Sequence, residues 1–195
     1  MRLKQFFQLS IFLMVIFLFF NPIININIYA ATDFKTPKDF FGFIPGADRM
    51  LFSYEDLVGY LKQVDARSPR LKLIEIGTSP MGKTIYIACI SSETNISRLT
   101  RLKEINKRLA LESDMSDRER ESLIQEGRVF VLATLSMHSG EVGPSQAAPL
   151  IAYNLVTTED PELLEYLNNV VFLMVPCHNP DGMDMVVQHY HKYRG

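Results

Sequence analysis

Residues 129–141 read VFVLATLSMHSGE, an apolar run over residues 129–135 followed directly by a polar stretch. A short apolar run that ends at turn-forming residues is typical of a buried β-strand. The polar stretch carries an imidazole, His138, and a carboxylate, Glu141, three residues apart. Active sites of open α/β sheets gather at the carboxyl ends of strands. The stretch therefore predicts a strand with a functional site at its end.

A second apolar run, residues 170–175, lies downstream and ends shortly before an Asn-Pro-Asp-Gly sequence at residues 179–182. Between the two runs the pattern predicts one helix over residues 143–155, despite Pro149, and another over residues 159–167. The Asn-Pro-Asp-Gly sequence is interpreted as a turn in which Gly182 admits a positive φ.

Upstream, two β-rich runs, residues 71–76 and 84–90, flank a turn over residues 77–82 and predict a hairpin. A hairpin followed by a strand–helix–strand unit predicts an α/β fold. We expect a mixed, mainly parallel sheet with helices on both faces.

The remaining segments are assigned by composition and periodicity. Ser53 is predicted to cap a helix with an apolar stripe, in the N-terminal part of a domain spanning residues 53–195. Residues 31–52 carry prolines and glycines among aromatic residues and are interpreted as an N-terminal arm. Residues 96–127 are rich in charge and are interpreted as a helical surface insertion.

The N-terminus has the pattern of a secretory leader. Arg2 and Lys4 precede an apolar stretch, and Ala30 offers a small residue for cleavage. Residues 1–30 are therefore predicted to be a signal peptide, and the mature protein is expected to be exported, either secreted or periplasmic. The alternative is an uncleaved membrane anchor, but the fully apolar part, residues 11–20, is short for a span of ~20 residues.

Composition excludes nucleic acid as a partner and leaves open whether the two cysteines form a disulfide. The chain has 195 residues and a formal net charge of −2, without the clustered basic footprint that nucleic-acid binding requires. Export permits a disulfide between Cys89 and Cys177. Both cysteines lie among apolar neighbours, so two buried free thiols are an equal alternative.

His138 and Glu141 have the spacing of a zinc-binding pair. A turn between the two side chains lets an imidazole nitrogen and a carboxylate oxygen converge on one ion. The alternative is a polar turn in which Glu141 stabilises the start of the next helix through its dipole. The spacing alone occurs often by chance, so the choice depends on the other motifs.

Three ordered motifs together resemble the zinc carboxypeptidase family, the carboxypeptidase A-like metallopeptidases. His138 and Glu141 match the family's His-x-x-Glu zinc motif, and residues 179–182 match its Asn-Pro-Asp-Gly. Residues 77–83 are similar to its Gly-x-Ser-x-x-Gly-Arg hairpin, with Lys83 in place of the arginine. An arginine often precedes the zinc-binding glutamate in the family, and here that position is Gly140.

The resemblance implies one zinc ion held by His138, Glu141 and a third ligand, a histidine beyond Gly195. It also implies a general-base glutamate beyond Gly195, and Arg194 as the residue that stabilises the oxyanion. Lys192 offers an alternative register for that role. The chain is accordingly expected to be the N-terminal part of a truncated carboxypeptidase-like domain. His178, His189 and His191 are further candidates for the third ligand, although the family uses none of these positions.

The function implied by the resemblance is that of a zinc-dependent metallocarboxypeptidase, which hydrolyses peptide bonds at or near the C-terminus of peptides. Its partners would be peptide or protein substrates, with no nucleic acid and no membrane once the leader is cleaved. Two alternatives stay open. One is an amidase or deacylase on the same fold, and the other is an inactive truncated or binding form.

Overall fold

A computed structural model describes residues 34–193, and within them the chain forms eight helices and four strands. In chain order these are α1 (Pro37–Phe41), α2 (Tyr54–Arg67), β1 (Leu71–Thr78), β2 (Thr84–Ile90), α3 (Glu93–Ser97), α4 (Leu99–Leu111), α5 (Asp117–Glu126), β3 (Val129–Thr134), α6 (Val142–Thr157), α7 (Pro161–Asn169), β4 (Val170–Val175) and α8 (Pro180–Tyr193).

The four strands form one mixed sheet in the order β1-β2-β4-β3. β1 and β2 form the predicted antiparallel hairpin, β2 pairs antiparallel with β4, and β3 pairs parallel with β4. The mixed α/β fold is confirmed. The sheet has fewer parallel strand pairs than predicted. Within residues 34–193 only β3 and β4, which are joined by a helical crossover, pair in parallel.

One face of the sheet packs against α2, α6 and α8. Alternate strand residues point to this face, among them Ala88, Ile90 and Met174, each fully buried. Ser53 starts α2 with a capping box, in which Ser53 Oγ accepts the Asp56 amide and the Asp56 carboxylate accepts the Ser53 amide. The predicted cap is therefore confirmed. The apolar stripe of α2 is buried against the sheet at Leu57, Tyr60, Leu61 and Val64.

The opposite face is covered by α4 and α5. Leu102, Ile105 and Leu123 are buried against Cys89 and Val171 of the sheet. Helices on both faces are thus confirmed. The segment interpreted as a surface insertion supplies the second core, where burying a side chain such as Leu102 contributes ~1.5–3 kcal/mol. Whether residues 96–127 are an insertion relative to the family stays a prediction.

The two cysteines lie on opposite faces of this sheet. Cys89 packs in the core under α4 and α5, and Cys177 packs in the core under α2, α6 and α8. Both are free and buried, so of the two alternatives that the sequence left open the structure has two thiols. Burial raises the pKa of Cys89 to about 11 and raises the pKa of Cys177, so neither thiol is ionised at neutral pH.

Two predictions fall outside the described residues, the leader at residues 1–30 and the oxyanion residue Arg194. Within residues 34–193, no helix has both the length and the apolar character needed to cross a membrane.

Asn95 joins α3 to the last turn of α7. Its side chain is 1% exposed and donates to Ser91 Oγ at 3.0 Å, to the Leu167 carbonyl at 3.1 Å and to the Asn168 carbonyl at 3.0 Å. Asn95 also begins an Asn-Ile-Ser glycosylation sequon. Its amide is used inside the fold and is closed to modification in the folded chain.

We expect Asn95→Ala to lower the free energy of unfolding by about 3 kcal/mol, because it leaves buried acceptors unpaired and opens a cavity. Urea denaturation measures this change. Asn106→Ala, at an exposed position of α4, is the control and should change stability by less than ~0.7 kcal/mol. Equal losses in the two variants would contradict the role assigned to Asn95.

Candidate metal centre

Residues 136–141, called the zinc loop below because they carry the two predicted zinc ligands, follow the carboxyl end of β3 and lead directly into α6. In this loop His138 Nδ1 lies 3.1 Å from Glu141 Oε2, and both side chains are open to solvent, with exposed fractions of 74% and 57%. The hydrogen bond from His138 lowers the pKa of Glu141 below its ordinary value. The two atoms that the sequence singled out as ligands therefore converge, with the carboxylate ionised at neutral pH.

Ser136 shapes the zinc loop. It has a left-handed backbone with φ of 49°, and its side chain is buried. Ser136 Oγ donates to the Glu141 carbonyl at 2.5 Å and accepts the Ser145 amide at 3.0 Å. This hydroxyl closes the loop on itself and joins it to the first turn of α6. The sequence patterns did not single out Ser136, although a small polar residue between an apolar run and the His-x-x-Glu pair was an available signal. The prediction that this run is a buried strand is wrong: β3 is the edge strand of the described sheet, and most of its side chains are exposed.

The zinc loop is also joined to the segment that follows β4. The Leu135 amide donates to the Val175 carbonyl at 3.0 Å, the His178 amide to the Leu135 carbonyl at 2.8 Å, and the Asn179 amide to the Ser136 carbonyl at 3.2 Å. The β3–β4 pairing thus continues past the ends of both strands. As a result, the zinc loop and the Asn-Pro-Asp-Gly motif lie side by side.

The Asn-Pro-Asp-Gly sequence is the start of α8, so its interpretation as a turn is wrong. Asn179 Oδ1 accepts the Gly182 amide at 2.9 Å, the Asn179 carbonyl accepts the Met183 amide, and Pro180 is the first helical residue. Asn and Pro suit both a turn and a helix start, and the sequence pattern did not separate the two.

Gly182 is needed for close approach and not for a positive φ. A Cβ built on it would lie 2.6 Å from Ser139 Cβ and 2.7 Å from Asn179 Nδ2, and its φ is not positive. The first turn of α8 therefore packs directly under the middle of the zinc loop.

The hairpin turn between β1 and β2 contacts the same helix. Asp181 accepts hydrogen bonds from Ser79 Oγ at 2.8 Å and from the Met81 amide at 3.1 Å. Lys83 Nζ forms an ion pair with Asp184 at 2.6 Å. The three motifs that sequence analysis placed far apart in the chain thus meet around the first turns of α8.

The other histidines do not complete the pair. His178 is exposed, His189 packs on the Tyr193 ring, and His191 Nε2 lies 3.0 Å from the Leu51 carbonyl. Within residues 34–193, no three His, Cys, Asp or Glu side chains are grouped so that they could hold a metal ion. The assignment of His138 and Glu141 as two ligands of one ion therefore stays a prediction.

The geometry of the pair fits zinc. Two ligand atoms about 2.1 Å from a tetrahedral ion lie ~3.4 Å apart, close to the 3.1 Å between His138 Nδ1 and Glu141 Oε2. Imidazole nitrogen and carboxylate oxygen are both accepted zinc ligands. Their exposure leaves room for further ligands and for water.

A family model, the zinc carboxypeptidase model, matches residues 57–194. The chain belongs to this family. The match covers the hairpin, the zinc loop and the Asn-Pro-Asp-Gly motif, so the resemblance drawn from these motifs is confirmed.

Solved carboxypeptidases are similar to the chain over part of their length. Carboxypeptidase A from Helicoverpa armigera has a TM-score of 0.47 and 17% identity, covering 74% of this chain and 30% of that chain. A metallo-carboxypeptidase from Burkholderia cenocepacia has a TM-score of 0.45 and 17% identity, covering 68% of this chain and 28% of that chain. The chain thus spans less than a third of each. A comparison with curated proteins gave no match.

We expect Gly182→Ala to lower the free energy of unfolding by ~1–3 kcal/mol, because the added methyl group overlaps Ser139 and Asn179. Thermal and urea unfolding measure the change. Gly143→Ala is the matched control in the first turn of α6, where a Cβ meets nothing within 4 Å. Because alanine has a higher helix propensity than glycine, Gly143→Ala should leave the free energy of unfolding unchanged or raise it by up to ~1 kcal/mol.

The double variant Gly182→Ala, Ser139→Gly removes one partner of the overlap and should recover part of the lost stability. If Gly182→Ala is as stable as Gly143→Ala, the close packing of α8 under the zinc loop is contradicted.

Proposed function

We propose that this zinc carboxypeptidase family member acts as a zinc-dependent metallocarboxypeptidase that hydrolyses peptide bonds at or near the C-terminus of peptides. The observation that carries the proposal is the convergence of His138 Nδ1 and Glu141 Oε2 at the carboxyl end of β3. The family match to residues 57–194 supports the same chemistry.

In this proposal His138 and Glu141 are two ligands of one zinc ion. Zinc in a hydrolase takes three protein ligands and keeps one position for water, so a third ligand from outside residues 34–193 completes the site. When bound, zinc supplies a Lewis acid and lowers the pKa of its water to about 7. A ligand nitrogen carries no proton, so the ion would take the place of the proton that His138 Nδ1 donates to Glu141.

The remaining chemistry is assigned to residues that act on the substrate. Arg194 is proposed to stabilise the negative charge that develops on the scissile carbonyl oxygen, because a guanidinium is always charged and rich in donors. A general-base glutamate, also from outside residues 34–193, would take the proton from the attacking water and pass it to the leaving amine. Export of the protein is proposed from the leader pattern of residues 1–30.

Gly140 gives one reason to keep a second candidate function, an amidase or deacylase on the same fold. It occupies the place where many family members have an arginine, and a Cβ there would meet nothing within 4 Å. A substrate contact that some family members make is therefore absent at this position, which opens room for a different acyl group.

We expect the native protein, which in this proposal includes the third ligand, to bind zinc with a stoichiometry of one and to lose affinity by at least about tenfold, or ~1.4 kcal/mol, in His138→Ala and in Glu141→Gln. Isothermal titration calorimetry with Zn²⁺ and the absorption spectrum with Co²⁺ measure this. His178→Ala is the matched control, since it removes an exposed imidazole next to the loop. No zinc binding by the wild-type chain, or an equal loss in the control, would refute the metal site.

Activity is tested separately on the zinc-loaded chain with peptides of free and amidated C-termini, followed by mass spectrometry. Chelator-sensitive release of C-terminal residues from the free peptides supports the carboxypeptidase proposal. Hydrolysis of the amidated peptides or of small acyl amides alone favours the amidase. Zinc binding without hydrolysis of any of them supports the inactive binding form.

A further inference from the structure

We propose that Asp181 and Asp184 are positioning residues for the metal site. They hold the first turns of α8 against the β1–β2 hairpin and the start of α2, and α8 in turn supports the zinc loop from below. This inference rests on the metal site proposed above and assigns it a supporting structure on the side away from solvent.

Asp181 is a buried carboxylate whose two oxygens are both used. It is 8% exposed, and it accepts Ser79 Oγ on Oδ1 and the Met81 amide on Oδ2. Ser79 is buried as well, and its hydroxyl oxygen accepts the Lys83 amide at 2.9 Å. A carboxylate near a helix N-terminus is stabilised by the dipole even when exposed. The Asp181 carboxylate is instead buried against a turn 100 residues away in sequence, which indicates that it fixes the position of α8.

Asp184 holds the same face of α8 one turn later. Its Oδ1 accepts the Tyr54 amide at 2.7 Å and its Oδ2 pairs with Lys83 Nζ at 2.6 Å. The Tyr54 hydroxyl donates to the Thr84 carbonyl at 2.6 Å, which ties the start of α2 to the same hairpin. Residues at i and i+3 of a helix share one face, so the two carboxylates resist both sliding and rotation of α8.

Gly182 is the point at which α8 contacts the zinc loop. It lies between the two aspartates, and its Cα is so near Ser139 that no side chain fits between them. Ser139 directly follows His138, and within the described residues the His138 side chain has no bonding partner other than Glu141. The separation of the two ligand atoms therefore depends on the loop backbone, and hence on the placement of α8 beneath it.

The test is metal binding by the full chain carrying Asp181→Asn, an isosteric change that removes the charge and one acceptor oxygen. We expect the affinity for Zn²⁺ and Co²⁺ to fall about tenfold, as for partners outside the ligand set, with a changed Co²⁺ spectrum. Lys83→Met should weaken binding in the same direction, while Lys83→Arg keeps the ion pair with Asp184 and should retain wild-type affinity.

A control separates positioning from general stability. Glu126→Gln breaks the ion pair with Arg101, 2.6 Å long, which belongs to the helices on the opposite face of the sheet. It should leave metal affinity unchanged at a temperature well below unfolding. A metal-independent measurement is amide hydrogen exchange at His178 and Asn179, whose N–H groups donate to the carbonyls of Leu135 and Ser136. Exchange should be faster in Asp181→Asn and unchanged in Glu126→Gln.

The outcomes are distinguishable. If the wild-type chain binds no metal, the proposed function fails and this inference fails with it. If the wild-type chain binds metal and Asp181→Asn binds it equally well, only this inference is overturned. It is also overturned if Glu126→Gln weakens binding as much as Asp181→Asn does. Should Asp181→Asn fail to fold, Lys83→Met and its rescue by Lys83→Arg decide the question.

Discussion

The parallel pairing of β3 with β4 is the constraint on which the site depends. Its register runs from Val129 opposite Val170 to Thr134 opposite Val175, so both strands end at the same edge of the sheet. Backbone hydrogen bonds continue beyond that edge from Leu135 and Ser136 to the segment after β4. A shift of one residue would move every side chain of β3 to the other face and separate the zinc loop from α8.

Two different physical effects hold the site in place. The central strands β2 and β4 are anchored by apolar burial on both faces, which has no direction and tolerates small displacements. The first turns of α8 are anchored by buried carboxylates with specific donors, Ser79 and Met81 for Asp181 and Tyr54 and Lys83 for Asp184. Such contacts fix orientation, because a buried carboxylate that loses its donors is strongly destabilised.

The proposed ligand pair is exposed, in contrast with the residues that support it. His138 and Glu141 face solvent, whereas Ser136 and Gly182 beneath them are buried. This arrangement suits a site that must admit further ligands, water and a substrate, while its geometry is set from the protein side. The proposed ligands therefore contribute little to the core. The buried residues Ser136 and Gly182 hold the loop in place instead.

The sequence by itself determined the local elements and singled out His138 and Glu141 as the proposed ligand pair. Periodicity and turn chemistry act over a few residues. They predicted the strand before His138, the cap at Ser53 and the hairpin around Gly82, as well as the helix before that strand and the helix after Glu141. Only the tertiary structure decided that, within residues 34–193, β3 and β4 are the one parallel pair and that residues 96–127 cover a second core. Only the tertiary structure showed that Gly182 is required by contact with Ser139 and that Asp181 reaches Ser79. These features depend on pairing and packing between residues far apart in the chain, for which a local pattern carries no signal.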